Sequence, residues 1–152
     1  MSATKDAASI VHRFITGFLG KGEMDAADET LAPHVHVITG LKPTGPIDGI
    51  DEYKATIAAF VDAFPAAAPL QIIDQFTSDD GLRVVTRFHA RLRHTKPFFG
   101  VAATDRVILF DETHVTRIEH GHITENIVSA TNLEFEMLMA PVLSPMILKK
   151  DG

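Results

Sequence analysis

The 152-residue sequence contains no cysteine and no tryptophan, and it has a single tyrosine. Without cysteine the chain can form no disulfide, no thiolate metal site and no cysteine nucleophile. It has no apolar run near the roughly 18 residues that a membrane span requires. Its first residues, MSATKDAAS, lack the apolar core and cleavage site of a secretory signal. A cytoplasmic location is therefore expected.

An excess of positive charge is also missing, because the formal net charge is −6. Nucleic acids and anionic membranes favour basic patches, so neither is an expected partner. Basic residues do recur between Arg83 and Lys96, but at the alternating spacing of a solvated strand face. With 45% hydrophobic and 22% charged residues, the composition is typical of a globular protein, and the length fits one domain covering residues 1–152.

Helical spacing of apolar residues comes before strand spacing along the chain. It predicts helices over residues 4–19 and from the residue after Asp48 to Phe64, with a shorter helical turn over 25–31. Asp48 is placed to cap the second of these helices, and Pro65 to end it.

A period of two predicts strands in the second half of the chain. The four segments are 70–77, 82–94, 106–118 and 122–131. HVHVIT, residues 34–39, reads as a brief earlier strand, and LEFEMLMA, residues 133–140, as a closing helix. Helices followed by a run of strands indicate an α+β fold, with the helices packed on one face of a curved, mostly antiparallel sheet.

The segment FDETHVTRIEHGHITENIV, residues 110–128, predicts a hairpin whose strands carry polar side chains. A two-residue loop at His120-Gly121 would pair His114 with Ile127. A three-residue loop would instead place His114 opposite Asn126 and Glu112 opposite Val128, all on one face. Glycine suits the turn in both cases, so the turn sequence alone leaves both registers open.

The run HTKPFFGVAATDRVILFDETHVTRIEHGHITE resembles the signature of the SnoaL-like polyketide cyclase family. The positions that match are His94, Gly100, Thr104, Asp105, Arg106, His114, Arg117, Gly121 and Ile123. The resemblance implies a cone of about three N-terminal helices on a curved sheet, the fold of nuclear transport factor 2. It also implies one deep pocket per chain, assembly into homodimers or higher homo-oligomers, and no cofactor.

The family reaction depends on residues that this chain keeps only in part. In the family, a pocket aspartate removes a proton flanked by carbonyls, and a strand histidine helps to stabilise the oxyanion during an intramolecular aldol closure. By resemblance His114 is that histidine, and Glu112 occupies a polar pocket position. The aspartate position is Val128, which cannot accept a proton, and Ala102-Ala103 and Lys96 also depart from the family pattern.

Glu112 and His114 are the candidate catalytic residues. On one strand face their Cβ atoms are roughly 7 Å apart, which allows contact or a bridge through substrate. Such a pair can transfer protons at neutral pH, and Asn126 could present its NH₂ group to a carbonyl oxygen. Alternatively, the three polar residues hydrogen-bond one another, either beneath a ligand that is bound without turnover or as plain structure.

Further residues are predicted to bind substrate rather than to react with it. This set comprises Asn126, Val128, His36, His94, Phe88 and Phe60. His36 is expected at the pocket mouth, and His94 either in the pocket or as a hydrogen-bonding residue at a strand end. His34 and His36 have a metal-like spacing, but a third ligand is not evident, so no metal site is predicted.

The sequence thus supports two main hypotheses. The first is a cofactor-independent cyclase, isomerase or lyase that acts on a small hydrophobic carbonyl or aromatic compound. The second is a binding protein, or a degenerate cyclase, without catalysis. An epoxide hydrolase of the same fold is a weaker third, because its Asp–Arg–Asp set cannot be assembled here.

Overall fold

The computed structural model describes residues 6–148 of the chain, apart from the side chain of Ile147. Its helices are α1 (Ala7–Arg13), which continues as a π-helical segment (Phe14–Leu19), α2 (Met24–Thr30), α3 (Ile50–Ala63) and α4 (Leu133–Leu148). Its strands are β1 (Leu31–Ile38), β2 (Ile47–Asp48), β3 (Gln71–Thr77), β4 (Arg83–Arg93), β5 (Val107–Glu119) and β6 (His122–Ala130).

The six strands form one sheet in the order β2-β1-β6-β5-β4-β3. The β1–β6 pair is parallel and the other pairs are antiparallel. The predicted α+β class with a mostly antiparallel sheet is therefore confirmed. Among residues 6–148, no helix is long and apolar enough to cross a membrane.

Helix α3 begins one residue later than the sequence suggested. Its N-cap is Gly49, whose φ of 97° suits glycine, and no side chain caps the helix. Asp48 instead belongs to β2, where its carboxylate contacts Nδ1 of His36 at 2.7 Å. The predicted capping role of Asp48 is thus wrong, because strand pairing with β1 orients this residue away from the helix.

Strand alternation divides the sheet into a face covered by helices and an outer face. In β4 the inward positions are buried while the arginines between them are exposed. On the inner face, Phe60 of α3 lies 5.1 to 6.1 Å, ring centre to ring centre, from an aromatic cluster. The other members of that cluster are Phe64, Phe98, Phe110 and Phe135.

The outer face carries a continuous apolar row across five strands. Directly paired residues build it in the order Ile38, Ile127, Val115, Val85 and Phe76. Phe76 is 57% exposed and Ile38 42%, at the two ends of the row. We call these five residues the outer row.

The β5–β6 hairpin has a register that neither sequence alternative anticipated. The loop is the two-residue turn His120-Gly121, with both residues at positive φ, and Glu119 pairs with His122. A bulge then shifts the pairing between Arg117 and Ile118. As a result His114 pairs with Val128, rather than with Asn126 or Ile127 as the two alternatives proposed.

The bulge nevertheless preserves the shared face predicted by the three-residue loop. The two-residue loop and the extra residue in β6 each move the pairing by one position relative to that alternative, and side chains two residues apart lie on the same side of a strand. Glu112 accordingly pairs with Ala130, while Asn126 pairs with Thr116. Glu112, His114, Asn126 and Val128 therefore all lie on the inner face.

Helix α4 is twice as long as LEFEMLMA suggests, because it continues through Pro141 and Pro145 to Leu148. A proline inside a helix removes one backbone hydrogen bond and normally ends it, which is why the sequence predicted an earlier stop. Phe135 and Met139 attach the helix to the core, whereas Met137 on its other side is 76% exposed.

Candidate active site

Two cavities meet on the inner face of the sheet. The outer cavity, of about 720 Å³, lies between the strands and α4, which contributes Phe135, Ala140 and Leu143 to its wall. The inner cavity, of about 40 Å³, lies deeper and is lined largely by aromatic and aliphatic side chains. Four residues border both cavities and so mark their junction: Thr39, Leu41, Glu112 and Val128.

Glu112 places a carboxylate at this junction. Its Oε1 accepts a hydrogen bond from Nε2 of His114 at 2.9 Å, and its Oε2 accepts one from Nδ2 of Asn132 at 2.8 Å. The Glu112 side chain is 18% exposed, whereas that of His114 is 3% exposed. Among residues 6–148, Glu112 is the carboxylate that borders both cavities.

A hydrogen-bonded chain behind Glu112 fixes the orientation of His114. The Asn126 amide oxygen accepts the Thr116 hydroxyl at 3.1 Å, so its NH₂ group faces Nδ1 of His114 at 3.0 Å and the Tyr53 oxygen at 3.2 Å. Nδ1 of His114 is then an acceptor, and the ring hydrogen is on Nε2, which donates to Glu112.

Asn126 is fully buried and spends both amide hydrogens on His114 and Tyr53. The sequence had suggested that Asn126 presents its NH₂ group to a substrate oxygen. In the structure this NH₂ group is already engaged by His114 and Tyr53. The mutual hydrogen bonding considered as an alternative is present. Tyr53 borders the inner cavity, and burial raises the pKa of its hydroxyl, which remains a neutral phenol.

Val128 faces the cavities directly across from His114. Phe60 and Phe88, two of the predicted substrate-binding residues, line the inner cavity, and the Phe88 ring lies 5.0 Å from the His114 ring. The junction thus combines the carboxyl group of Glu112 and the hydroxyl group of Thr39 with the apolar side chains of Leu41 and Val128. An apolar ligand would fit such walls, and Glu112 would be the group able to exchange protons with it.

The placement of His36 at the pocket mouth is corrected by the structure. His36 pairs with Glu125 on the parallel strand β6, directly before the inward-facing Val37–Asn126 pair. Successive residues of a strand point to opposite faces. The His36 ring consequently points to the outer face and contacts Asp48.

His94 is a hydrogen-bonding residue at a strand end, the other role considered for it, and it is absent from the lining of both cavities. It is completely buried and stacks on Phe64 with a ring separation of 4.6 Å. Its Nδ1 accepts the backbone N–H of Thr104 at 3.2 Å. Within residues 6–148, no three His, Asp or Glu side chains are grouped as a metal site would require.

Sequence reasoning missed Asn132 and the contribution of α4 to the cavity wall. Asn132 directly follows the hairpin and precedes a predicted helix, so its type and position indicate an ordinary N-cap. The signal that could have identified it is its location at the end of the strand that pairs with Glu112. The extent of α4 was hidden by its two prolines.

Comparisons with known proteins support the fold assignment. A crystal structure described as that of a SnoaL-like polyketide cyclase from Jannaschia sp. CCS1 matches with a TM-score of 0.73 at 16% identity, covering 91% of this chain and 98% of that one. One from Acidithiobacillus ferrooxidans matches with a TM-score of 0.73 at 21% identity, covering 91% and 97%. IdmH of Streptomyces antibioticus matches with a TM-score of 0.69 at 19% identity, covering 88% and 99%.

At identities of 21% or lower, these structures show a shared fold and no more. No curated protein sequence matches the chain. The family model described as SnoaL-like polyketide cyclase, however, matches residues 9–136, which include Glu112, His114, Val128 and Asn132. The chain therefore belongs to the SnoaL-like polyketide cyclase family.

Proposed function

We propose that this protein is a cofactor-independent enzyme that transfers protons on a hydrophobic, polyketide-like carbonyl compound, with Glu112 as the base. The observation that carries the proposal is the position of Glu112. Its carboxylate lies at the junction of the two cavities and is held on one oxygen by His114 and on the other by Asn132.

In the proposed reaction, Glu112 removes a proton from carbon next to a carbonyl group and becomes a neutral carboxylic acid. The electron pair of the broken C–H bond moves into the carbonyl and gives an enolate. In a cyclase, the enolate carbon then attacks a second carbonyl of the same molecule, and the proton passes from Glu112 to the new alkoxide. In an isomerase, the proton returns to a different carbon.

His114 would support this base rather than contact the reacting carbon. Both ring nitrogens are engaged, Nδ1 with Asn126 and Nε2 with Glu112, and the side chain is almost fully buried. The Nε2–H group restrains the carboxylate in one rotamer. A general base that is fixed in this way loses less entropy on reaching the transition state.

The cavities favour a substrate that has an apolar, flat region and a polar group placed at the junction of the two cavities. A volume of about 720 Å³ lies within the usual range for small-molecule sites. The outer cavity is the one large enough for an aromatic group, whereas a small aliphatic group directed to the inner cavity would contact Phe60, Phe88 and Phe110. The carbonyl-bearing carbon would then lie beside Glu112 at the junction.

A second candidate function is ligand binding without turnover, and Val128 favours it. By resemblance, the family's proton-accepting aspartate would stand at this position, where this chain has a hydrocarbon. In that case Glu112, His114 and Asn126 would serve as a polar wall that orients a ligand.

Deuterium exchange at the α-carbon of acetonaphthone, followed by NMR in D₂O, would distinguish the two functions. An enzyme should accelerate the exchange at saturating ketone, and the Glu125→Gln variant should match wild type because Glu125 lies on the outer face. If the ketone binds and its exchange stays at the rate measured in buffer, the binding function is favoured.

We also propose that two chains associate through the outer row. Its members span the sheet, and Phe76 and Ile38 expose apolar surface to water. Charged pairs such as Arg87–Asp111 lie beside the row. A contiguous apolar surface with a polar rim is typical of a protein–protein interface.

A further inference from the structure

Asn132 occupies the link between the sheet and α4, and its amide orientation is unambiguous. Its Oδ1 accepts the backbone N–H of Asp111 at 2.8 Å, and its Nδ2 donates to Oε2 of Glu112 at 2.8 Å. The backbone N–H of Asp111 can only donate, so it must face the amide oxygen of Asn132, and the NH₂ group is left to face Glu112. Asn132 is 5% exposed.

We propose that Asn132 is the positioning residue that aims the Glu112 carboxyl group at the cavity junction, and that it couples this group to α4. The proposal rests on the proposed function of Glu112 as a base. It assigns a role in that function to a residue that lines the outer cavity but not the inner one.

The coupling follows from the backbone around Asn132. The carbonyl of Asn132 accepts the N–H of Glu136 in the first turn of α4 at 2.8 Å, while the N–H of Thr131 donates to the carbonyl of Asp111 at 3.0 Å. The start of α4 is therefore bonded to the β5 residue that precedes Glu112. A displacement of α4, which forms one wall of the outer cavity, would move the Asn132 amide away from the carboxylate.

The protonation of Glu112 depends on the groups that face it from each neighbouring element. His114 on β5 donates to it, Asn132 donates to it from the link, and Tyr53 on α3 borders the same cavity as a neutral phenol. Glu136 on α4 adds a carboxylate to the wall of the outer cavity. Hydrogen bonds donated to an ionised carboxylate stabilise the ionised form. Removing the Asn132 donor should therefore favour the protonated form of Glu112.

The test compares Asn132→Asp and Asn132→Ala with wild type. Asn132→Asp preserves the acceptor for the Asp111 N–H but replaces the donor to Glu112 with a like charge. Asn132→Ala removes both hydrogen bonds without adding charge, and it serves if the aspartate variant does not fold. Leu133→Ala is the matched control, since this neighbouring side chain is 68% exposed.

The readout is the ¹³C-carboxyl NMR titration of Glu112, measured in the full chain without substrate. We expect the titration midpoint to move to higher pH by about 1 unit or more in Asn132→Asp, less in Asn132→Ala, and not at all in the control. The acidic limb of the rate profile for α-deuterium exchange should move in the same direction. The added charge of Asn132→Asp would move the midpoint in any case, so Asn132→Ala is the variant that decides: a purely structural role of Asn132 would lower its stability without moving its midpoints.

The titration tests the positioning role of Asn132 separately from the proposed role of Glu112 as a base. If the midpoint moves while wild type catalyses no exchange, Asn132 positions Glu112 but Glu112 is not a base. If folded Asn132→Ala titrates as wild type does, the positioning role is overturned, whatever the exchange rate.

Discussion

Replacing Val128 by aspartate would return a carboxyl group to the position where, by resemblance, the family carries its base. Val128 pairs directly with His114, so their Cβ atoms are about 4.5–5.5 Å apart, and Glu112 is a diagonal neighbour at about 7–8 Å. The added carboxylate would thus stand within reach of the imidazole and on the same cavity wall as Glu112.

The expected loss of stability in Val128→Asp follows from these separations. Two carboxylates about 7 Å apart repel by about 2 kcal/mol at an effective dielectric constant of about 20. Loss of half-buried hydrocarbon adds to this cost. We expect Val128→Asp to lower the free energy of unfolding by about 1–3 kcal/mol at pH 8.

The neutral variant Val128→Asn separates charge from polarity, because asparagine has nearly the same shape as aspartate. The difference in stability between the two variants should be largest at pH 8. It should shrink as the pH falls below about 5, where carboxyl groups become protonated and the repulsion disappears. Urea denaturation at both pH values measures it.

Exchange of α-deuterium should be faster in Val128→Asp than in Val128→Asn, because the former adds a second proton acceptor at the junction. Equal stability of the two variants at pH 8, together with equal exchange rates, would refute the inferred geometry. Val128 would then not lie across from His114 on the cavity wall.

Three further predictions concern other parts of the molecule. Tyr53→Phe removes the acceptor of one Asn126 hydrogen bond and should cost about 0.5–1.5 kcal/mol of stability, measured by urea denaturation. Hydrogen bonds from Arg87 lower the pKa of Asp111, so their stabilisation exists above about pH 4 and is lost as the pH falls through the lower folded pKa. Asp111→Asn should cost about 0.5–1 kcal/mol at pH 7 and progressively less in acid. Light scattering should give twice the chain mass of 16.6 kDa for wild type and the single chain mass for Val115→Lys; a wild-type monomer would contradict the proposed dimer.

The sequence was sufficient to place most elements, because helical and alternating periodicities follow directly from which side chains are buried. Phe60 belongs to the stripe that packs α3 on the core, and the alternation through β4 separates Phe88 from the exposed Arg87. These assignments depend only on the spacing of residues within one element, which does not depend on how distant parts of the chain pack together.

The register of the hairpin could not be predicted in the same way. It depends on a bulge near Arg117 that has no distinctive residue type, although the bulge decides that His114 faces Val128. The face of His36 depended likewise on the parallel pairing of β1 with β6, a contact between strands far apart in the chain. Asn132 was missed because its role depends on a contact with a carboxylate 20 residues away.

The most direct test of the central claim is the exchange rate of Glu112→Gln at saturating acetonaphthone, with the affinity for the ketone measured on the same sample. If Glu112 is the base, the rate should fall by about 10²-fold or more while the affinity changes much less, since glutamine retains the size of the side chain. His114→Ala should lower the rate in the same direction. Exchange at the wild-type rate by the Glu112→Gln, His114→Ala double variant would contradict the account.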